Sequence, residues 1–448
     1  MLGFLCSTFF SLKESGKEVT LPLNELKDAI YKCIRCGSCR AACPTFGEEL
    51  SETAVARGRV ALVEAVLEGR LSLTPAFEKV IFHCAMCGAC KAGCPSGVDV
   101  PAIVEAAREE LVKKKGSEPL ARFLAKKSLK DKRSMDMAFA LMSLGRSAYG
   151  PLAATPLGKY LPYQYRDFKR SFPKIPSKPL AARVPELSKA DNPKGRVAFY
   201  AGCVVNYVYP EIGEAAIRVL NRAGFDVSIS KDELCCGKPL LSLGETDAAR
   251  PIAEKTAAAL AGSDADFVVT ACPTCALTLR YEYPKILDGL DGAVRLSGMV
   301  RDITSFLAKE TDIIGQTTAT GQKVTYHDPC HLNFGMGIKA EPRALIKAAA
   351  GNLAEMAESE RCCGFGGSFS FLNYELSGRI AARKAGNIEA TGAEAVVTAC
   401  PGCMMHIADA LSQKGLNLET LHVVQLLDRA IKPSFSFGEK EKDQKKTK

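Results

Sequence analysis

Of the 19 cysteines in this chain of 448 residues, 18 fall into four groups, and the groups form two matched pairs. CIRCGSCRAACP supplies Cys33, Cys36, Cys39 and Cys43, and HCAMCGACKAGCP supplies Cys84, Cys87, Cys90 and Cys94. Farther along, Cys203, Cys235, Cys236, Cys272 and Cys275 are echoed by Cys330, Cys362, Cys363, Cys400 and Cys403 at offsets of 127 or 128 residues. Cys6 stands outside every group and reads as a bystander thiol. So regular an allocation is a scaffold for metal clusters, and four clusters in one chain imply electron transfer.

Spacing alone interprets the first pair. In C-x2-C-x2-C-x3-C-P, three thiolates set three apart wrap one corner of an iron-sulfur cube, while the fourth, followed by a chain-turning proline, points to the partner cluster. Cys33, Cys36, Cys39 and Cys94 are therefore expected to hold one 4Fe-4S cluster, and Cys84, Cys87, Cys90 and Cys43 the other. Gly37 and Gly88 follow the second cysteine of each run, where backbone amides can approach inorganic sulfur and tune its potential. Structural zinc is the competing reading, since C-x2-C also suits a tetrahedral ion, but the full run repeated twice is the bacterial ferredoxin spacing.

The second pair is a duplicated unit. In each copy a lone cysteine follows an apolar strand (RVAFYAGC, KVTYHDPC), 31 residues intervene before Cys-Cys-Gly, and a C-x2-C closes the unit after another strand (DFVVTACPTC, AVVTACPGC). Adjacent cysteines diverge, so Cys235 with Cys236, and Cys362 with Cys363, are suited to grip two irons of one cluster rather than one small ion. Five thiolates exceed the four corners of a cube, so either one cysteine is a bystander or the cluster is opened out. Gly237 and Gly364 follow the paired cysteines. His327 and His331 bracket Cys330 and are candidates either for moving protons beside the cluster or for capping a strand end. Cys362 and Cys363 are candidates for direct chemistry. GFGGSF after Cys363 lets backbone pass close to the cluster and suits an open, substrate-accessible face.

These motifs resemble the CCG-domain iron-sulfur proteins, which include the iron-sulfur subunits of glycolate oxidase and lactate utilisation systems, of anaerobic glycerol-3-phosphate dehydrogenase, and the D subunit of heterodisulfide reductase. The resemblance runs from about Lys32 to about Arg429. ELSETAVARGRVALVEAVLEG, CCGFGGSFSF and NIEATGAEAVVTACPGC are most similar to the glycolate and lactate subunits. Two complete five-cysteine sets are more similar to heterodisulfide reductase, whose related catalytic subunit holds noncubane clusters that cleave a disulfide.

The resulting fold class is α+β and multidomain: an N-terminal segment (1–28), an α-helical ferredoxin domain similar to that of fumarate reductase-type subunits (29–115), a basic linker crossing the surface (116–195), two tandem α/β CCG domains (196–315 and 322–432) and a charged, disordered tail (433–448). Alternating strands and helices in each CCG unit argue for a parallel sheet. No apolar run approaches the roughly 18 residues that span a bilayer. The nine Lys and Arg between Lys113 and Arg133, against two acids and followed by MAFALMSL, fit docking on anionic lipid or an acidic subunit, or else a solvated helix face. No nucleic-acid motif accompanies the charge, so nucleic acid is not expected as a partner. The chain has neither G-x-G-x-x-G nor P-loop, so oxidation of a 2-hydroxy acid requires an FAD-containing dehydrogenase subunit, with a membrane cytochrome or quinone-reactive subunit as acceptor. That arrangement implies a cytoplasmic protein held peripherally on the inner face of the membrane.

Overall fold

Short β-branched runs such as FVVT and AVVT are apolar on both faces, the pattern of strands covered by helices on either side. In the computed structural model, which describes residues 23–115, 120–153, 173–288 and 290–431, they form two sheets. The first contains β1 (Leu187–Ser188), β2 (Gly195–Phe199), β3 (Phe225–Ser228), β4 (Phe267–Thr270) and β5 (Val300–Asp302), in the order β1-β3-β2-β4-β5. The second contains β6 (Lys323–His327), β7 (Asn352–Leu353), β8 (Ala395–Thr398) and β9 (Glu419–His422), in the order β7-β6-β8-β9. All pairs are parallel except β1 with β3, and without that edge strand the two orders are the same. The cysteine repeat is thus a repeat of topology.

Strand periodicity of two assigns the faces. Val197 and Phe199 point into a core that also holds Val324, Tyr326, Val397 and Leu427, so the two units share one hydrophobic interior. Ala198 and Tyr200 point the other way, among Cys235, Cys236, Cys272 and Cys275. The junction is pseudo-symmetric. Helix Pro210–Arg222 of the first unit packs on Val423–Ala430 of the second, and the corresponding helix Ala340–Ala350 packs on Ile303–Lys309. Arg218 pairs with Asp428 across it at 2.6 Å, and His422 Nε2 meets the Ala271 carbonyl at 3.0 Å.

The N-terminal part is helical. Ala56–Leu67, Pro75–Phe82 and Val100–Lys115 enclose a core of Val60, Val63, Phe77, Ile81, Ile103, Val104 and Leu111, and Leu23 and Leu26 of the expected N-terminal segment join it. The segment expected to run as a surface linker differs. It contains helices Leu120–Leu129 and Lys132–Ala153, and Met135 is buried against the first CCG unit. Phe139 stacks on Tyr207 at 4.3 Å, and Tyr207 donates to Asp136 at 2.6 Å. Apolar side chains hidden among the lysines cause this: Met135 and Phe139, one helical turn apart, are the anchor. Two of those lysines are tied down, Lys126 to Glu245 and Lys132 to Asp136. Met137, Leu141 and Met142 stay exposed on the outer side. No helix among the described residues is long and apolar enough to cross a membrane. Cys6 and the tail 433–448 lie outside the described residues.

Candidate metal centre

Each ferredoxin-type run is a loop between helices, and both loops take the same unusual backbone. Arg35 and Met86, midway between the first two cysteines of each run, have φ of 55° and 56°, and Gly37 and Gly88 after the second cysteine have φ of 88° and 78°. Alternating left-handed residues turn successive N–H groups toward one point, a concavity suited to an anion such as a cluster sulfide. At Gly37 an added Cβ would also sit 2.9 Å from Arg57 Nη1, which itself donates to the Arg35 carbonyl. Sequence alone marks the glycines; it carries no signal for Arg35 or Met86.

The end of the second motif comes to the first: Cys33, Cys36, Cys39, Cys90 and Cys94 all line one cavity. Cys43 is buried, bonded to Thr45 and the Ala54 carbonyl, and lies within the electrostatic reach of Cys87 and Cys90. Pro44 opens the helix that carries the chain away after Cys43. Cys36 is exposed, whereas Cys87 is buried.

In the CCG units the cysteines gather beyond the carboxyl ends of the strands. Cys203 and Cys272 follow β2 and β4, and Cys330 and Cys400 follow β6 and β8. The chain leaves β2 for β3 on one side and reaches β4 on the other, so the thiols sit at the topological switch point, where open parallel sheets form their ligand crevice. Cys235 Sγ is 3.9 Å from Cys203 Sγ, and Cys275 Sγ is 3.6 Å from Cys236 Sγ. The same contacts recur between Cys330 and Cys362, and between Cys363 and Cys403. Gly364, with φ of 91°, has no room for a side chain, since a Cβ would lie 2.8 Å from the Ser377 carbonyl. Gly237 repeats that conformation at φ 81°.

Two contacts join these groups end to end. Cys272 and Cys400, equivalent residues of the two units, are hydrogen-bonding neighbours across the junction. Cys87 of the second ferredoxin-type run is a hydrogen-bonding neighbour of Cys362. The thiols therefore run without a break from the helical domain into the second CCG unit and on into the first. Docking is secured around the same point. Asn373 donates to the Phe82 carbonyl at 3.0 Å, Ser242 meets Ser368 at 2.9 Å, and a Cβ on Gly366 would lie 3.1 Å from the Ala85 carbonyl. GFGGSF, expected to line an open face, is instead pressed against the helical domain, because its small residues are what permit that approach.

The two histidines separate in role. His331 contacts the Thr274 hydroxyl through Nδ1 at 2.9 Å and the Met86 carbonyl through Nε2 at 3.4 Å, so it ties three parts of the chain together. A carbonyl only accepts, hence Nε2 carries the proton and Nδ1 accepts from Thr274. His327 is fully buried at the end of β6, with Nδ1 on the Ser359 carbonyl at 3.2 Å. Burial pushes its pKa down to about 3, which keeps the ring neutral.

Do these residues suit iron-sulfur clusters? Hydrogen bonding to neighbouring sulfurs and then burial raise Cys235, Cys330 and Cys403 well above the ordinary thiol range, while Cys363 is held well below it by bonds from Cys362 and Cys403. Thiols crowded in this way share protons until cationic metal replaces them. Buried cations stand by to offset thiolate charge. Arg59 donates to the Val80 and His83 carbonyls, and Arg108 to the Ile81, Cys84 and Ser242 carbonyls, both beside Cys84. Lys384 is buried beside Cys363, donating to the Glu358 and Ser359 carbonyls, and burial lowers its pKa to about 8. The donor set fits clusters. None of these three cations is distinguishable in the sequence from a surface residue.

Comparison with known proteins agrees with this geometry. Residues 197–280 and 324–408 match the cysteine-rich CCG domain, and residues 29–98 match the 4Fe-4S dicluster domain. The chain is similar to the "Probable glycolate oxidase iron-sulfur subunit" of Bacillus subtilis, 31% identical over 92% of this chain and 97% of that protein. It is also similar to one of the subunits of the "Fumarate reductase (CoM/CoB)" of Methanothermobacter marburgensis, 30% identical over 89% of this chain and 72% of that one. "Lactate utilization protein A" of Shouchella clausii is 31% identical over 52% of this chain and 98% of its own length.

Proposed function

Because the chain belongs to the family of iron-sulfur proteins that join a 4Fe-4S dicluster domain to two CCG domains, we propose that it is the electron-relay subunit of a flavin-dependent 2-hydroxyacid dehydrogenase. In this reading an FAD-bearing partner oxidises glycolate or lactate, and the acceptor is a quinone or a membrane subunit. The observation that carries the proposal is the unbroken line of thiols from Cys87 through Cys362, Cys363, Cys403, Cys400, Cys272, Cys275 and Cys236 to Cys235 and Cys203. Iron-sulfur clusters, when bound, supply carriers that take up and release one electron at a time.

The residues divide into four sites. Cys33, Cys36, Cys39 and Cys94 hold one 4Fe-4S cluster, Cys84, Cys87, Cys90 and Cys43 a second, and the two five-cysteine sets hold further clusters. In this reading, which the contacts support, the Cys36 site is outermost, the Cys87 site is next, the second CCG unit follows and the first CCG unit is last. Beside exposed Cys36 stand Ile34, 69% exposed, and Arg35, which line the same cavity. In this reading the flavin partner docks over this outermost thiol. At the far end, the helix carrying exposed Met137, Leu141 and Met142 packs on the first CCG unit through Met135 and Phe139, and in this reading its outer face meets the inner surface of the cytoplasmic membrane.

A second reading draws on two complete five-cysteine sets placed back to back at Cys272 and Cys400. It makes the chain similar in action to a heterodisulfide reductase subunit, with a disulfide broken at a noncubane cluster. One experiment separates the two. Oxidised, anaerobic protein mixed with the FAD partner and glycolate or lactate should be reduced, with bleaching of its visible absorption, whereas a heterodisulfide or thiol should raise no new paramagnetic signal. A thiol-dependent signal that disappears in Cys362→Ser, with no reduction by partner and substrate, would replace the first reading by the second.

A further inference from the structure

The two CCG units keep their five cysteines in register but differ in the residues around them, and one of those differences faces the thiols. Aligned on Cys203 and Cys330, Tyr200 of RVAFYAGC corresponds to His327 of KVTYHDPC. Tyr200 lies within the electrostatic reach of Cys236 and Cys275, and its hydroxyl donates to the Leu234 carbonyl at 2.7 Å. His327 faces the equivalent pair: a ring nitrogen and the sulfurs of Cys363 and Cys403 all lie within 4.8 Å of one another.

Hydrogen bonding decides which nitrogen faces the sulfurs and in what form. The Ser359 carbonyl only accepts, so Nδ1 carries the ring hydrogen and donates it at 3.2 Å. In the neutral ring Nε2 then presents a lone pair. Nε2 is fully buried and has no hydrogen-bond partner among the described residues. A buried acceptor left without a partner is costly, which favours a ligand there. An unpartnered ring nitrogen beside two cysteine sulfurs, on a ring whose other N–H is fixed by a backbone carbonyl, is the arrangement of a metal-ligating histidine with its outer support.

We infer that His327 Nε2 is a nitrogen ligand to iron in the C-terminal CCG unit, so that the duplicated sites are chemically distinct, one all-sulfur and one of mixed sulfur and nitrogen. This deepens the relay reading and rests on it for the presence of iron. Imidazole donates less electron density than thiolate, and substitution of histidine for cysteine is known to raise cluster potentials. The phenol of Tyr200 is committed to Leu234, and no histidine among the described residues stands in the equivalent place of the first unit.

The test is pulsed EPR on the full-length, anaerobically prepared protein carrying either 14N or 15N histidine. A directly bound imidazole nitrogen should appear as a strong hyperfine coupling that changes with the isotope. That coupling should be lost in His327→Phe and kept in His331→Ala and Tyr200→Phe, while His327→Cys should lower the midpoint potential of the same signal. Should His327→Phe fail to fold, the isotope comparison on the unmodified chain still decides, with Tyr200→His expected to add a second nitrogen coupling. Iron-loaded protein with no histidine coupling, or with coupling that survives His327→Phe, overturns the inference alone. Protein that holds zinc in place of iron overturns the reading beneath it as well.

Discussion

Replacing Arg108 with leucine is expected to destabilise the protein by about 3 kcal/mol or more and to lower the potential of the site built on Cys84. The guanidinium is buried and donates to the Ser242 carbonyl at 2.7 Å, the Cys84 carbonyl at 2.6 Å and the Ile81 carbonyl at 3.1 Å, while lying over the Phe82 ring. Each buried acceptor stripped of its donor costs about 1–3 kcal/mol, and leucine restores none of them. Burial lowers the arginine pKa only to about 10, so the group is cationic at neutral pH and favours the more negative, reduced state of a neighbouring cluster. Arg108→Lys should retain the charge but lose the forked donation, and so recover the potential better than the stability. Denaturant unfolding and a redox titration read the two effects separately. A loss under 1 kcal/mol together with an unchanged potential would refute the assignment.

A serine at Cys94 is expected to remove the cluster of the other motif. Cys94 shares a cavity with Cys33, Cys36 and Cys39. Loss of this ligand should drop about four irons per chain and abolish the spectrum of the outermost site, leaving that of the Cys87 site in place. Cys43→Ser should do the reverse. If Cys94→Ser instead erased the signal of the Cys87 site, the motifs would each hold their own cluster without crossing.

Much of this architecture is legible in the sequence because it is carried by local patterns. The offset between cysteine sets announces the duplication, and the strands before Cys203, Cys272, Cys330 and Cys400 announce the parallel sheets. The helical insertions between Cys43 and Cys84 are equally plain. What sequence does not disclose is how the parts meet. The choice of the second CCG unit as neighbour of Cys87 depends on Asn373 reaching Phe82 and on Gly366 admitting the backbone at Ala85, contacts between residues far apart in the chain. The basic stretch misled for a related reason. Lysines dominate its composition, but Met135 and Phe139 at helical spacing decide its fate by burying against Tyr207 and its neighbours. Arg59 and Arg108 sit on amphipathic helices among charged residues, where only tertiary packing distinguishes a buried cation from a solvated one.

The second CCG unit also shows how a duplicated scaffold acquires different ends. Its strand β6 terminates in His327 and Asp328, the latter held by both nitrogens of Arg343, whereas β2 runs on into Tyr200 and Ala201, whose amide is capped by Glu233. Burial pushes Glu233 up to about 8 against the two backbone amides that hold it. One copy therefore surrounds its thiols with imidazole and ammonium groups, and the other with phenol and carboxyl. Such a difference makes two duplicated sites chemically distinct.

The central claim, a row of iron-sulfur sites that carries electrons, is tested most directly by metal and sulfide analysis of anaerobically purified full-length protein. Four occupied sites predict about sixteen irons per chain with a matching quantity of acid-labile sulfide, and stepwise reduction should show more than one class of paramagnetic centre. A fully active preparation that contains zinc, lacks labile sulfide and shows no such signal would contradict the account.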